Sequence, residues 1–306
     1  YQPKGDGEET WEHLREIAES PRSSSHFDPY IGRYSERQSH FREHPWIFRR
    51  SERNLLEKIK RAGEKTLGDI VDSICFEFIS AADPVFVDYI TESFIRRNGL
   101  EREVLIPCLR GENVRNWMID WHGNRKKEQT YVIYTHDDDG NPIDLSLYPN
   151  VQRYLMKYRD VLGSRATWGR MTYDEAGEPW WKLHQTTFRR GAAKMTYSRI
   201  AATPHFFLEP YGEYAAHQTL YVIYGENINE ETWTTILGVL NSTLTNYYMK
   251  QVATKRMGGD KQGGYIEWLA SYMKKFPFPK EEQLLQLNIS DCVQQLLSAA
   301  CSAMSY

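Results

Sequence analysis

Five cations stand between Lys182 and Ile200, at Lys182, Arg189, Arg190, Lys194 and Arg199, with no Asp or Glu among them. A second acid-free stretch, Thr232 to Gly259, is charged only at Lys250, Lys255 and Arg256. Runs of this kind neutralise phosphates, and arginine can also clasp a guanine edge through two parallel hydrogen bonds. Donors and acceptors lie between the cations: Gln185 and the threonines of HQTTF have the chemistry to read base edges. Lys261 and Gln262 sit in MGGDKQGG, whose glycines let a backbone approach a duplex closely. Arg110, in CLRGEN, is followed by a turn glycine that would let its guanidinium face a groove.

The whole chain is mildly acidic, with a net charge of -3, so any affinity for a polyanion must be local. The acids gather elsewhere, in GDGEETWEHLREIAE and HDDDG. Catalytic signatures are missing: there is no GxSxG, HExxH or Walker loop. Two residues before each lysine there is never an acid, which removes the acid–x–lysine core of the commonest nucleases. ADPV and GNPI lack the Pro-Pro-aromatic loop that an amino-methyltransferase uses to hold its target amine. HDDDGN is expected to be a turn, since it lacks the EF-hand ligand spacing, and no metal site is expected. His205, among aromatics, is expected to be packed or hydrogen-bonded. Cys75, Cys108, Cys292 and Cys301 form no CxxC pair, which argues against a zinc knuckle and fits a reducing cytoplasm. No apolar run approaches the ~18 residues of a membrane span. The opening YQPKGDGEETWEHL has neither an initiator Met nor a signal-peptide pattern, and reads as a cut inside a longer protein.

What must position these residues is an α+β fold: strands dominate the middle of the chain and helices its end. A short helix is expected over 8–19, and another in RRSERNLLEKIKRAG, capped by Ser51 and closed by Gly63. TLGDIVDSICFEFI, PVFVDYI, VLIPCL and TYVIYTH have the β-branched and aromatic content of strands. Asn150 is the expected cap of one helix through VQRYLMKYRDVLG. KMTYSRIAA, PHFFLEP and QTLYVIYGE follow as strands, and Asn227 or Asn229 opens a helical stretch containing GVLNSTLTNYYM. Asn241-Ser242-Thr243 are poor helix-interior residues, so Leu240 should close one helix and Asn241 or Ser242 cap the next. That second helix should carry Leu244, Tyr247 and Tyr248 into the core. A last amphipathic helix is expected over 281–300.

Taken in order, TLGDIVD, PVFVD, LIPCLRGENVRNW, TYVIYT, YPNVQRYLMKYRDVLGSR, PWWKLHQ, KMTYSRIAATPHFFLE, GVLNSTLTNYYM and FPFP resemble one family. It is the TaqI-like C-terminal specificity, or target-recognition, domain of adenine-specific DNA methyltransferases and type IIG restriction–modification enzymes. CFEFISAADP stands where such domains carry a Gly/Thr-rich turn, and no DNA contact is carried over to it. The resemblance implies a β-rich specificity subdomain followed by an α/β part with C-terminal helices. It implies a linker or helical segment over 1–45, the recognition domain over 46–280 and a C-terminal helix over 281–306. The implied partner is double-stranded DNA, bound by Arg110, Lys182, Gln185, Arg189, Arg190, Lys194, Arg199, Lys255, Arg256, Lys261 and Gln262. No catalytic residue and no cofactor are expected in this chain. Adenine methylation, with S-adenosylmethionine, would belong to an upstream domain of the same cytoplasmic polypeptide, fused in some members to an endonuclease. The rival reading is a protein- or glycan-binding module, since aromatics make up 13% of the residues.

Overall fold

The computed structural model describes residues 12, 15, 26–27, 32–33, 50–121, 129–255, 264–279 and 288–304. All of the expected helix over 8–19 but Glu12 and Arg15, which are helical, lies outside these, as do Arg256, Lys261, Gln262 and the start of the 281–300 helix. The chain divides into two compact units, Tyr1–Arg50 and Ser51–Tyr306. Within the first, the strands His26–Phe27 and Gly32–Arg33 form an antiparallel pair.

Helix α1 (Arg50–Ala62) leads into the second unit and buries Leu56 and Ile59, three positions apart on one face. Gly63 does more than end it. The strand Gly63–Thr66 continues directly and pairs with Pro277–Pro279 of the FPFP exit. A Cβ on Gly63 would stand 2.6 Å from the Cβ of Pro277, so only glycine fits there.

One expected strand is replaced by a helix and another only begins as one: PVFVDYI forms no strand, while TLGDIVDSICFEFI is helical at its start and becomes strand at Ser73–Cys75 and Phe78–Ile79. TLGD folds as α2 (Leu67–Ile70), because the Asp69 carboxylate accepts from both the backbone N–H of Thr66 (2.8 Å) and its hydroxyl (2.7 Å). PVFVD contains α3 (Asp83–Phe86), with Pro84 in the first turn, where its missing N–H costs nothing. A helix absent from the expectations, α4 (Glu92–Asn98), is capped by Thr91 and closed by Gly99 at φ 62°.

Two sheets carry the fold, and their main strands are β1 (Ser73–Cys75), β2 (Leu105–Leu109), β3 (Tyr131–Ile133), β4 (Lys194–Ser198), β5 (Phe206–Glu209) and β6 (Leu220–Tyr224). β5, β4, β6 and β1 lie side by side in that order, antiparallel throughout. β4 and β6, at the centre, are buried at every position. In the second sheet β2 pairs antiparallel with β3 and parallel with Ala215–Ala216. The resulting mixture of helices and strands is α+β.

The expected helix after Asn150 is two short ones, α5 (Pro149–Met156) and α6 (Arg159–Gly163), and Asn150 is not its cap. The carboxylate of Glu101, reaching from another segment, accepts the N–H groups of Asn150 and Val151 at 2.9 Å each. The helices α7 (Glu230–Leu240) and α8 (Thr243–Val252) meet at the Asn241-Ser242 notch. Ser242 Oγ accepts from the N–H of Thr245 at 3.2 Å, an N-cap bond. Asn241 turns its side chain to the sheet: Oδ1 accepts from the N–H of Phe206 (3.0 Å) and Nδ2 donates to its carbonyl (2.9 Å). Tyr248 is buried as expected, whereas Leu244 is exposed on the outer face of α8. The described part of the last helix, α9 (Ile289–Met304), packs on α7 across Gly238, where a Cβ would meet Ile289 and Val293 at 2.7 Å.

One apolar core joins Phe78, Phe86, Ile90, Ile95, Ile106, Val132, Leu155 and Leu162, with Trp180 and Trp181 packed against it. Trp181 Nε1 donates to the carbonyl of Ile143 at 3.0 Å, so these tryptophans belong to the packing. A second cluster gathers Leu109, Val114, Leu220, Val222 and Tyr224 under the four-stranded sheet.

Candidate nucleic-acid interface

The acid-free strip does not remain one patch in three dimensions. Arg189 and Arg190 precede β4 and Arg199 follows it, so the five residues of the strand, about 17 Å long, come between them.

Lys194, at the start of β4, is fully buried and must be removed from the candidate contacts. Its Nζ lies 2.6 Å from Glu77 Oε1 and 3.5 Å from Glu209 Oε2, and it donates to the carbonyl of Tyr214. Glu77, itself buried, also accepts from the hydroxyl of Tyr224 and the N–H of Ala216. Burial raises the Glu209 carboxyl above its ordinary range, against the lowering effect of Lys194. An acid-free sequence therefore conceals acids supplied from other segments.

The other strip cations reach the surface with partners. Lys182 bonds Glu178 at 2.7 Å; Arg189 lies over the Tyr224 ring at 4.8 Å and 3.1 Å from Glu226. Arg190 stands 3.6 Å from Asp138. Gln185 is half-buried in a short strand, Gln185–Thr186, that pairs with Phe78–Ile79. Such exposed pairs contribute little and exchange readily for phosphate.

At the far end of β4 three segments converge that are remote in sequence. The hydroxyl of Ser198 donates to the carbonyl of Gly111 at 3.3 Å, and the N–H of Gly111 donates to Thr219 Oγ1 at 3.1 Å. The N–H of Arg199 donates to the carbonyl of Thr219 at 3.0 Å. Next to it Ile200–Ala201 pairs with Ile266–Glu267, and Ile266 bridges to Lys255. Arg110, Arg199 and Lys255 are thereby gathered along one edge, with Gln218 and Thr219 between the first two. Arg199 sits over the Phe76 ring at 5.7 Å and 3.8 Å from Glu267. Arg110 is paired with Asp88, a half-exposed ion pair.

Behind Arg110 lies an acid–imidazole pair that the sequence reading missed. His217 Nε2 is 2.9 Å from Asp83 Oδ2, and the same oxygen accepts from Gln218 Nε2 at 3.2 Å. Burial would raise the Asp83 carboxyl. The hydrogen bonds from His217 and Ser80 and the charges of His217 and Arg110 outweigh it, and bring it down to about 2. Gln218 and Thr219 stood inside an expected strand; the one signal for them was a polar pair directly before an apolar run.

HDDDGN is a turn: Asp137 Oδ1 accepts from the N–H of Asn141 (2.7 Å) and of Asp139 (3.0 Å). Among the described residues no group of three or more His, Cys, Asp or Glu is arranged to hold a metal ion. Among them, too, no helix is long and apolar enough to cross a membrane. His205 is half-buried, and burial lowers its pKa.

No family model matches the chain. It is nevertheless similar in sequence to DNA methyltransferases. It is 26% identical over 282 residues to the adenine-specific methyltransferase PglX of Streptomyces coelicolor, across 88% of this chain and 22% of PglX. Over 237 residues it is 23% identical to the type II methyltransferase M.XhoI of Xanthomonas vasicola, across 77% of this chain and 39% of that protein. It thus spans well under half of either relative. The fold is similar to part of the type IIL restriction–modification enzyme MmeI, solved in complex with DNA. The TM-score is 0.53 at 14% identity, over 78% of this chain and 29% of MmeI.

Proposed function

We propose that this chain is the double-stranded DNA recognition lobe, of the TaqI-like target-recognition kind, of a restriction–modification adenine methyltransferase. Methyl transfer from S-adenosylmethionine is assigned to a domain outside the chain. The observation that carries the proposal is the convergence of Arg110, Arg199 and Lys255, from three separate segments, on one edge beside Gln218 and Thr219. Cations there hold phosphates, and the amide and hydroxyl supply donors and acceptors for base edges. The similarity to PglX and M.XhoI over most of the chain supports the same reading.

Duplex binding titrated against salt tests it. Each phosphate contact contributes about -0.9 to the slope of log affinity against log salt. Arg199→Ala with Lys255→Ala is expected to weaken binding to every duplex and flatten the slope by up to about two units. A wild-type chain that binds no duplex at low salt, or binds it independently of salt, would return the protein to the glycan- or protein-binding class.

A further inference from the structure

The segment SRATWGRMTY forms a hairpin that nothing above uses. Ala166 bridges to Thr172, the N–H of Thr167 donates to the carbonyl of Met171 at 2.7 Å, and that of Arg170 donates to the carbonyl of Thr167 at 3.1 Å. Its base is held by Arg165, a buried guanidinium spent entirely on backbone. It donates to the carbonyls of Leu162 (3.0 Å), Trp180 (2.8 Å), Lys182 (2.8 Å) and Ser80, and lies over the Tyr173 ring at 4.5 Å.

This braced hairpin carries Trp168, which is 74% exposed, and Met171, which is 50% exposed. A tryptophan left in water on a braced loop forgoes the stabilisation that burying so large an apolar side chain would bring. Arg170, between them, is exposed and holds a left-handed φ of 68°, where glycine would be free of strain. Among the described residues it has no ion-pair partner. Acids near the hairpin are already engaged: Asp174 by Arg159 at 2.7 Å, Glu178 by Lys182, and Glu175 by the N–H and hydroxyl of Thr172 at 2.8 and 2.9 Å. The tip is therefore apolar with one available positive charge. It also lies beside the first residues of the strip, since the Trp168 ring is 4.4 Å from that of His184, between Lys182 and Gln185.

We infer that the Thr167–Met171 hairpin is a second DNA-contacting element, in which Trp168 stacks against an exposed base face or opened base step and Arg170 takes a backbone phosphate. This rests on the DNA-recognition reading, and double-stranded DNA is the occupant that suits an aromatic face coupled to an unpaired cation.

The test uses the full chain and a fluorescein-labelled duplex of randomised sequence at several salt concentrations. Trp168→Ala is expected to weaken binding roughly 5- to 150-fold, the range for loss of one stacked base, with the salt slope unchanged. Trp168→Phe restores most of the affinity, yet the DNA-induced quenching of tryptophan emission falls in it. Arg170→Ala instead flattens the slope by about one unit. Melting temperatures should stay at the wild-type value, since both side chains are exposed. Wild-type binding that survives Trp168→Ala undiminished overturns this inference alone, and leaves the hairpin to a protein partner. A wild-type chain that binds no duplex overturns the DNA reading and this inference with it.

Discussion

Lys194 opens β4 and Arg199 follows its last residue, yet the two cations do opposite work. Lys194 is sealed between Glu77 and Glu209, where its charge ties β4 to the neighbouring β5 and to the bend at Glu77. Arg199 is about one-third exposed and joins Arg110 and Lys255 on an edge. Arg165 repeats the inner pattern, using its guanidinium to tie four carbonyls from three backbone segments. A basic residue in an acid-free run is thus assigned by the acids that folding brings to it, and those come from far away in sequence.

The largest expected effect breaks the inner half of this comparison. Lys194→Met leaves two buried carboxylates facing each other without a cation, a loss of about 3–5 kcal/mol. Urea unfolding followed by circular dichroism measures it. Loss below about 1 kcal/mol would show that the lysine is dispensable. Adding Glu77→Gln to Lys194→Met should recover part of the loss.

A second expectation concerns acid. Burial, then the charge of Lys182, lowers His136 to about 4, and burial lowers His184 and His205 as well. The folded protein keeps His136 neutral down to about pH 4, while the unfolded chain takes up its proton below about pH 6.5; His184 and His205 shift in the same direction. Stability is therefore complete above about pH 6.5 and falls as the pH is lowered toward 4, by up to about 1.4 kcal/mol per pH unit for each fully shifted ring. Melting curves between pH 7 and 4.5 should be flatter for His136→Gln than for the wild type. Parallel curves would mean that His136 is protonated in the fold.

The smallest effect belongs to the notch. Ser242→Ala should cost about 0.5–2 kcal/mol through the lost cap, with duplex affinity unchanged. Lost affinity at unchanged melting temperature would place Ser242 at the ligand.

Much of the fold was legible. KMTYSRIAA, PHFFLEP and QTLYVIYGE contain β4, β5 and β6, and the polar notch separates α7 from α8 where Leu240 ends. Capping chemistry was the part underweighted. Thr66–Asp69 and Pro84 signal helix starts, but β-branched neighbours suggested strands, and α4 went unread between Thr91 and Gly99 although both ends are marked. Of the site, Arg110, Arg199 and Lys255 could be named from the sequence but not grouped. Their grouping depends on the Gly111–Ser198 contact and on the pairing of Ile200–Ala201 with Ile266–Glu267, which join residues far apart in the chain. Lys194 misled because the sequence around it gives no sign of Glu77.

Asn241 has a further consequence for how copies of the chain behave toward each other. β5 is the outer strand of its sheet, and an outer strand offers unpaired N–H and C=O groups on which a second molecule could build. The amide of Asn241 occupies both such groups of Phe206, as a neighbouring strand would, and the N–H of Trp117 shares the same carbonyl at 3.2 Å. One side chain at a helix junction thus blocks the end of the strand against strand-to-strand aggregation.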